Sequence, residues 1–155
     1  MTDQTVHSQS AFQTGHIGLN VSNLNRSKQF YQQVFNFDVL AESQKEGREF
    51  AFLGDKQRIV LTLWQQSSSS FEKNQAGLHH LSFQVDTMEI VHQIEHKLCD
   101  MSVHFLYDGI VPHAEGAQSG GIFFEDPDGI RLEIFSSSGA EDHHTSSDGP
   151  SCGLF

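Results

Sequence analysis

Residues 16–22 alternate: Ile17, Leu19 and Val21 fall on one side, and His16, Gly18 and Asn20 on the other. That period of two is the mark of a strand with one buried face. Ser22 or Asn23 can then cap a helix whose apolar residues, Phe30, Tyr31, Val34 and Phe35, recur at helical spacing. Strands are expected near 38–42, 49–53 and 58–64, followed by a polar, serine-rich connection. The same order then starts again. A strand over 80–85 puts Leu81, Phe83 and Val85 on one face and His80, Ser82 and Gln84 on the other. A helix is predicted over roughly 88–99, with strands near 103–107, 121–125 and 130–135.

The two halves superpose residue by residue. His16 aligns with His80 at an offset of 64, which also matches Leu19 to Phe83 and Val21 to Val85. Farther along the offset is 71, matching Phe52 to Phe123, Leu61 to Leu132 and Leu63 to Ile134. The seven extra residues of the second half are expected in a loop within 108–120, where Gly, Pro, His and Ser replace any periodicity. The chain therefore reads as one duplicated domain over 14–135, with module one at 14–65, a linker at 66–76 and module two at 77–135. Residues 1–13 read as a disordered N-terminus. Residues 136–155 read as a disordered polar tail with an apolar end, Gly153-Leu154-Phe155, a candidate lid.

Chemistry gathers on the faces turned away from the helices. His16 and His80 lie at matching points, and Glu133 shares the non-helix parity of the last strand with Arg131 and Phe135. Two imidazoles and one carboxylate are a usual protein share of a mononuclear divalent metal site with open positions for substrate. His79 is the competing histidine, but its parity is that of the helix-facing Leu81 and Phe83. Arg131 is expected to pair with a carboxylate or to meet a substrate anion, and Trp64 to line an apolar pocket. Asp126-Pro127-Asp128-Gly129 reads as a turn that places Glu133.

Composition narrows the partners. At 155 residues the chain supports one domain with a real core, and its net charge of −11 speaks against nucleic acid or an anionic membrane. Cys99 and Cys152 show no metal-ligand spacing, and no apolar run has the length of a membrane helix. The N-terminus carries no signal-peptide pattern, so a soluble cytoplasmic protein is expected.

Three runs, His16-Ile17-Gly18-Leu19, Leu78-His79-His80-Leu81-Ser82-Phe83, and the stretch from Phe123 to Phe135 containing Asp126-Pro127-Asp128-Gly129, resemble the vicinal oxygen chelate superfamily over about 14–135. This superfamily includes glyoxalase I, fosfomycin-resistance proteins, bleomycin-binding proteins and extradiol dioxygenases. The resemblance implies an α+β fold of paired βαβββ modules, a cup-shaped mixed sheet with helices outside. It further implies one divalent metal on His16, His80 and Glu133, with iron(II) favoured over manganese, zinc or nickel. The family's fourth ligand position falls on Thr62, a poor ligand, which favours a three-ligand iron(II) dioxygenase over a glyoxalase-type lyase or isomerase. The resemblance also leaves open a thiol transferase and a metal-free drug- or metabolite-binding protein. Extradiol enzymes carry a tyrosine where this chain has Phe123. Their loop histidine corresponds to His113, with Glu115 beside it as a second acid–base candidate. Thr62, Trp64, Arg131 and Phe123 are the expected substrate contacts. The expected partners are a small-molecule substrate and a second copy of the chain, in a homodimer that shares the site between subunits.

Overall fold

The chain, described over residues 11–144 by a computed structural model, builds the same unit twice. Module one runs β1 (Ile17–Asn20), α1 (Leu24–Phe35), β2 (Asp38–Ser43), β3 (Phe50–Asp55) and β4 (Arg58–Trp64). Module two runs β5 (Leu81–Val85), α2 (Met88–Asp100), β6 (Val111–Pro112), β7 (Gly120–Glu125) and β8 (Arg131–Ser136). Each forms its own four-stranded mixed sheet, in the orders β1-β4-β3-β2 and β5-β8-β7-β6. The helices start where the sequence places them. Asn23 Oδ1 accepts from the Arg26 N–H and Thr87 accepts from the Ile90 N–H, so each side chain satisfies an amide the first turn leaves open.

Strand register follows the duplication. Ile17 pairs with Leu61 in the parallel β1–β4 contact, and Leu81 pairs with Leu132 in β5–β8. Gly18 opposite Thr62 thus corresponds to Ser82 opposite Glu133. The helix-facing residues Leu19, Leu53, Leu61 and Leu63 of one sheet and Ile122, Phe124, Leu132 and Ile134 of the other are fully or almost fully buried in one core. Helix α1 reaches across to module two. Phe35 lies 4.5 Å from Phe83 and Phe30 6.5 Å from Phe124, ring centre to ring centre. The core is built from the helix-facing sides of both sheets together with the two helices, and the residues carrying the candidate chemistry lie on the opposite faces.

The turn 126–129 does more than reverse the chain. Asp126 Oδ1 accepts from the N–H groups of Asp128 and Ile130, and Gly129 adopts φ 83°, a left-handed conformation that suits a residue without Cβ. Asp126 Oδ2 accepts from the buried Tyr31 hydroxyl at 2.9 Å. Asp128 accepts from the Ser22 N–H at 2.9 Å and from Arg26 at 2.5 Å. The turn of module two is thereby fastened to the first helix of module one. Burial raises Asp126 to a pKa of about 6, and burial followed by the Asp126 charge raises Tyr31 well above its ordinary value.

Two expectations are corrected. Residues 103–107 do not form a strand. Phe105 makes an isolated bridge to Phe124, the chain swings out through Tyr107 and Ile110, and pairing resumes only in the two-residue β6. A glycine-containing excursion and the hairpin 113–119 interrupt the ladder that the apolar alternation suggested. The packed domain also extends past Phe135. Ser136 ends β8 fully buried, and Ala140, also buried, donates its N–H to the Gln118 carbonyl at 2.8 Å. A small apolar residue inside a polar run had hidden this contact. The apolar end 153–155 and residues 1–10 lie outside the described residues.

Candidate metal centre

Glu133 is the centre of the second module's outer face. It sits in the middle of β8 between Ser82 of β5 and Phe123 of β7, and is only 2 % exposed. A carboxylate this deep must be compensated. Ser82 Oγ donates to Oε2 at 2.5 Å, and His113 Nε2 approaches Oε1 at 2.6 Å. On the far side of the same ring, Nδ1 stands 3.0 Å from Ser119 Oγ. In the neutral ring these partners assign the proton to Nε2, with Nδ1 accepting from the serine hydroxyl. His80, the residue before β5, turns Nε2 to within 3.7 Å of Glu133 Oε2. That separation is too long for a hydrogen bond. It is short enough for a single ion with bonds of about 2.1 Å to touch both groups. Burial lowers the His80 pKa, Glu133 opposes that shift, and His79 and Arg131 add to it. The neutral imidazole that metal ligation requires is favoured.

The other outward groups of this face frame Glu133. Arg131 is almost fully buried two residues before it, and Phe123, 3 % exposed, lies beside it across the ladder. Tyr107 meets the Phe123 ring edge-on at 5.6 Å, and burial raises the Tyr107 pKa while Arg131 opposes the rise. The excursion that breaks the expected strand is what delivers Tyr107, and the hairpin after it delivers His113.

Module one presents the pseudo-equivalent face. His16 immediately precedes β1, as His80 precedes β5, and is exposed. Thr62 occupies the register position of Glu133 and is 4 % exposed. Trp64 lies two residues on, and its indole N–H donates to Thr62 Oγ1 at 3.2 Å. Phe50 and Phe52 complete an aromatic group with Trp64.

The structure thus brings together His80, Glu133 and His113, with Arg131 and Phe123 beside them. It places His16, Thr62 and Trp64 on the other sheet. His79 is exposed, with Nδ1 2.8 Å from His80 Nδ1, and so stands behind the histidine that faces Glu133. Glu115 is exposed in the hairpin. Among the described residues of one chain, no three His, Cys, Asp or Glu side chains are arranged to hold a metal ion. Sequence reasoning missed Ser119, which stands in an aperiodic loop, took Tyr107 for the end of a strand, and gave Ser82 no role beyond that of a polar residue on the outward face.

The donor chemistry fits a divalent ion: a buried carboxylate, an imidazole facing it whose lowered pKa favours the neutral form, and hydrogen bonds that hold both carboxylate oxygens. No helix among the described residues is long and apolar enough to cross a membrane.

Comparison with known proteins agrees with this fold. The chain is 31% identical over 121 residues to the trivalent organoarsenical cleaving enzyme of Bacillus sp. (strain MD1), covering 77% of this chain and 70% of that one. It is 28% identical over 128 residues to catechol-2,3-dioxygenase of Bacillus subtilis, covering 78% of this chain but only 40% of the dioxygenase. Among solved structures, a point mutant of the fosfomycin resistance protein FosX from Listeria monocytogenes superposes with a TM-score of 0.64. That match has 19% identity and covers 86% of this chain and 98% of that one; the mutant is complexed with Mn(II) and 1S,2S-dihydroxypropylphosphonic acid. The model of the glyoxalase/bleomycin resistance protein/dioxygenase superfamily matches residues 13–134, and the chain belongs to that superfamily.

Proposed function

We propose that this protein is a metal-dependent enzyme that binds neighbouring oxygens of a small substrate, and that its reaction is an iron(II)-dependent dioxygenation. The observation that carries the reading is Glu133: buried, hydrogen-bonded, and faced by His80 at a distance one ion can bridge. Glu133, His80 and His16 would hold the metal. When bound, it would supply Lewis acidity and, as iron(II), a redox partner for dioxygen. The protein's own residues do the rest. Ser82 and His113 fix the carboxylate, and the His113 Nε2 proton is held where Nε2 lies 2.6 Å from it, in reach of a substrate oxygen bound alongside. Phe123 and Tyr107 close one side of the site against water.

His16 precedes β1, in the other module from Glu133, and no three potential metal ligands come together among the described residues of one chain. The reading therefore includes a homodimer in which module one of one copy faces module two of the other and His16 completes the ligand set. Two features favour dioxygenation over lyase, isomerase or transferase chemistry. Thr62 stands where a fourth ligand would close a lyase-type site. One relative is a catechol dioxygenase. Organoarsenical cleavage suits the outward faces less well, because trivalent arsenic prefers thiolates and the cysteine among the described residues, Cys99, lies exposed on α2.

The test mixes two inactive variants. His16→Ala and His80→Ala are each expected to lose stoichiometric metal, while subunit exchange between them restores one intact site per dimer. Mixtures that stay metal-free would overturn the shared site. Activity with zinc under strict anaerobiosis would overturn dioxygenation, since zinc has no redox chemistry to offer.

A further inference from the structure

Residues 137–143, beyond the end of β8, are fitted to the fold rather than trailing from it. Gly139 takes φ 96° and lies against the first turn of α2, where a Cβ would stand 2.7 Å from Met88 Cβ. The missing side chain is what permits both the conformation and the close approach. Glu141 Oε2 accepts from the Gly139 N–H at 2.9 Å, and the His143 N–H donates to the Ala140 carbonyl at 3.0 Å, so the segment closes into a turn of its own. The His143 ring then reaches His92 of α2, 6.0 Å centre to centre. Between these two contacts with α2 stands Ala140, fully buried inside an otherwise polar run.

Ala140 grips the returning limb of the 113–119 hairpin on both sides of Ser119. Its N–H donates to the Gln118 carbonyl at 2.8 Å. Its methyl lies over Gly120, where a Cβ would stand 2.8 Å from it. Ser119 in turn holds His113 twice: its carbonyl accepts from the His113 N–H at 2.9 Å, and its hydroxyl lies 3.0 Å from Nδ1. The hairpin tip 114–116 is exposed. An exposed, aperiodic loop has few buried contacts with which to fix a ring at its base, and a ring that is not fixed can rotate or exchange tautomers.

We infer that residues 137–143 form a clasp that positions His113: Ala140 fixes Gln118 and Gly120, these fix Ser119, and Ser119 keeps the His113 ring in the tautomer and orientation that meet Glu133. Ala140 and Ser119 are positioning residues, acting through His113. The strand that carries Glu133 runs directly into the clasp, so one segment supplies both the carboxylate and the restraint on the histidine that meets it. The meaning of the clasp for catalysis rests on the function proposed above, in which His113 holds a proton beside Glu133; its effect on the ring does not.

The His113 tautomer is read by long-range proton–nitrogen NMR on full-length, metal-free protein with isotope-labelled histidine, at about pH 8.5, where an unperturbed imidazole is neutral. Wild type is expected to carry the His113 proton on Nε2. Gly139→Val forces the clasp off Met88, and Ala140→Asp puts a carboxylate where there is no room beside Gly120. Each should lose the single tautomer and give a signal averaged between the two nitrogens, while the amide signals of β5 and β8 stay in place. Ala140→Gly keeps the N–H to Gln118 and should retain the wild-type signal. Ser119→Ala should lose it and Ser119→Thr restore it. An unchanged His113 signal in both clasp variants, or in Ser119→Ala, would overturn the inference. Hydrogen exchange on the unaltered protein needs no variant: the Ala140 and His113 amides should lose protection together, and a His113 amide that stays protected long after Ala140 has exchanged would overturn it as well. Both readouts use metal-free protein, so the clasp can fail while metal binding and subunit complementation succeed, and the reverse.

Discussion

The two modules share a backbone and differ in almost everything that backbone displays. At equivalent register, module two carries Ser82, Glu133 and a ladder neighbour in Phe123, while module one carries Gly18, Thr62 and Phe52. One face holds a buried carboxylate with histidines around it, and the other an aromatic wall with a single hydroxyl. Duplication supplied the frame; divergence gave one half a buried carboxylate and the other a cluster of aromatic rings. The turns diverge in parallel. Asp55 and Asp126 begin equivalent turns, and each accepts backbone N–H groups of its own turn, yet Asp55 is exposed and Asp126 is buried beneath Tyr31. The same local motif is a solvated turn in one module and the joint between modules in the other.

The sharpest way to break the comparison of faces is to remove the polar one. His80→Ala or Glu133→Gln should abolish stoichiometric metal in a protein that still folds, while His79→Ala retains it. His113→Ala should leave the ligands in place but cost roughly 10- to 100-fold in metal affinity or activity, as loss of a group that orients a ligand does. Metal analysis and turnover on the same samples check both; unaltered metal in His80→Ala, with loss in His79→Ala, would mean the wrong histidine has been assigned.

The comparison of turns is next in size. Tyr31→Phe deletes a hydrogen bond to a buried carboxyl and should lower stability by about 1.5–3 kcal/mol, measured by urea unfolding at pH 7. A loss within a few tenths would show that the inter-module joint does not depend on this bond.

Asp126 also gives a pH signature. Its pKa is raised from 3.8 to about 6, so its contribution to stability is fully present below about 4 and is lost as pH rises through about 6. Over the full shift that is at most about 3 kcal/mol. Asp126→Asn can keep the backbone bonds and offer an amide N–H to Tyr31, but it cannot ionise. The difference in unfolding free energy between wild type and variant should therefore drift with pH between about 4 and 6 and be flat above about 7. Parallel profiles across that window would rule out a raised Asp126. The smallest effect is expected at the solvated turn. Asp55→Ala should cost about 0.5 kcal/mol, with no pH signature of this kind, because its two hydrogen bonds compete with water.

Most of the fold was legible along the chain. Period-two alternation located β1, β4, β5 and β8, helical spacing and Asn23 located α1, and the paired offsets placed Thr62 opposite the role of Glu133. These features are local, and alternation fixes which face each side chain takes. The strand expected over 103–107 failed because its apolar residues pack without a continuous ladder, and Ala140 escaped notice because one small residue carries no periodicity.

The sequence by itself determined the duplication, the parity of His80 and Glu133, and the residue types a metal site needs, since all three follow from the order of residues along a strand. Only the tertiary structure decided that the Asp-Pro-Asp-Gly turn locks onto Tyr31 and Arg26, that His113 reaches the carboxylate, and that β1, which follows His16, belongs to a different sheet from Glu133. Those outcomes depend on how the modules pack around a shared core and how an aperiodic loop crosses a face. Both are set by contacts between residues far apart in the chain, which no local pattern encodes.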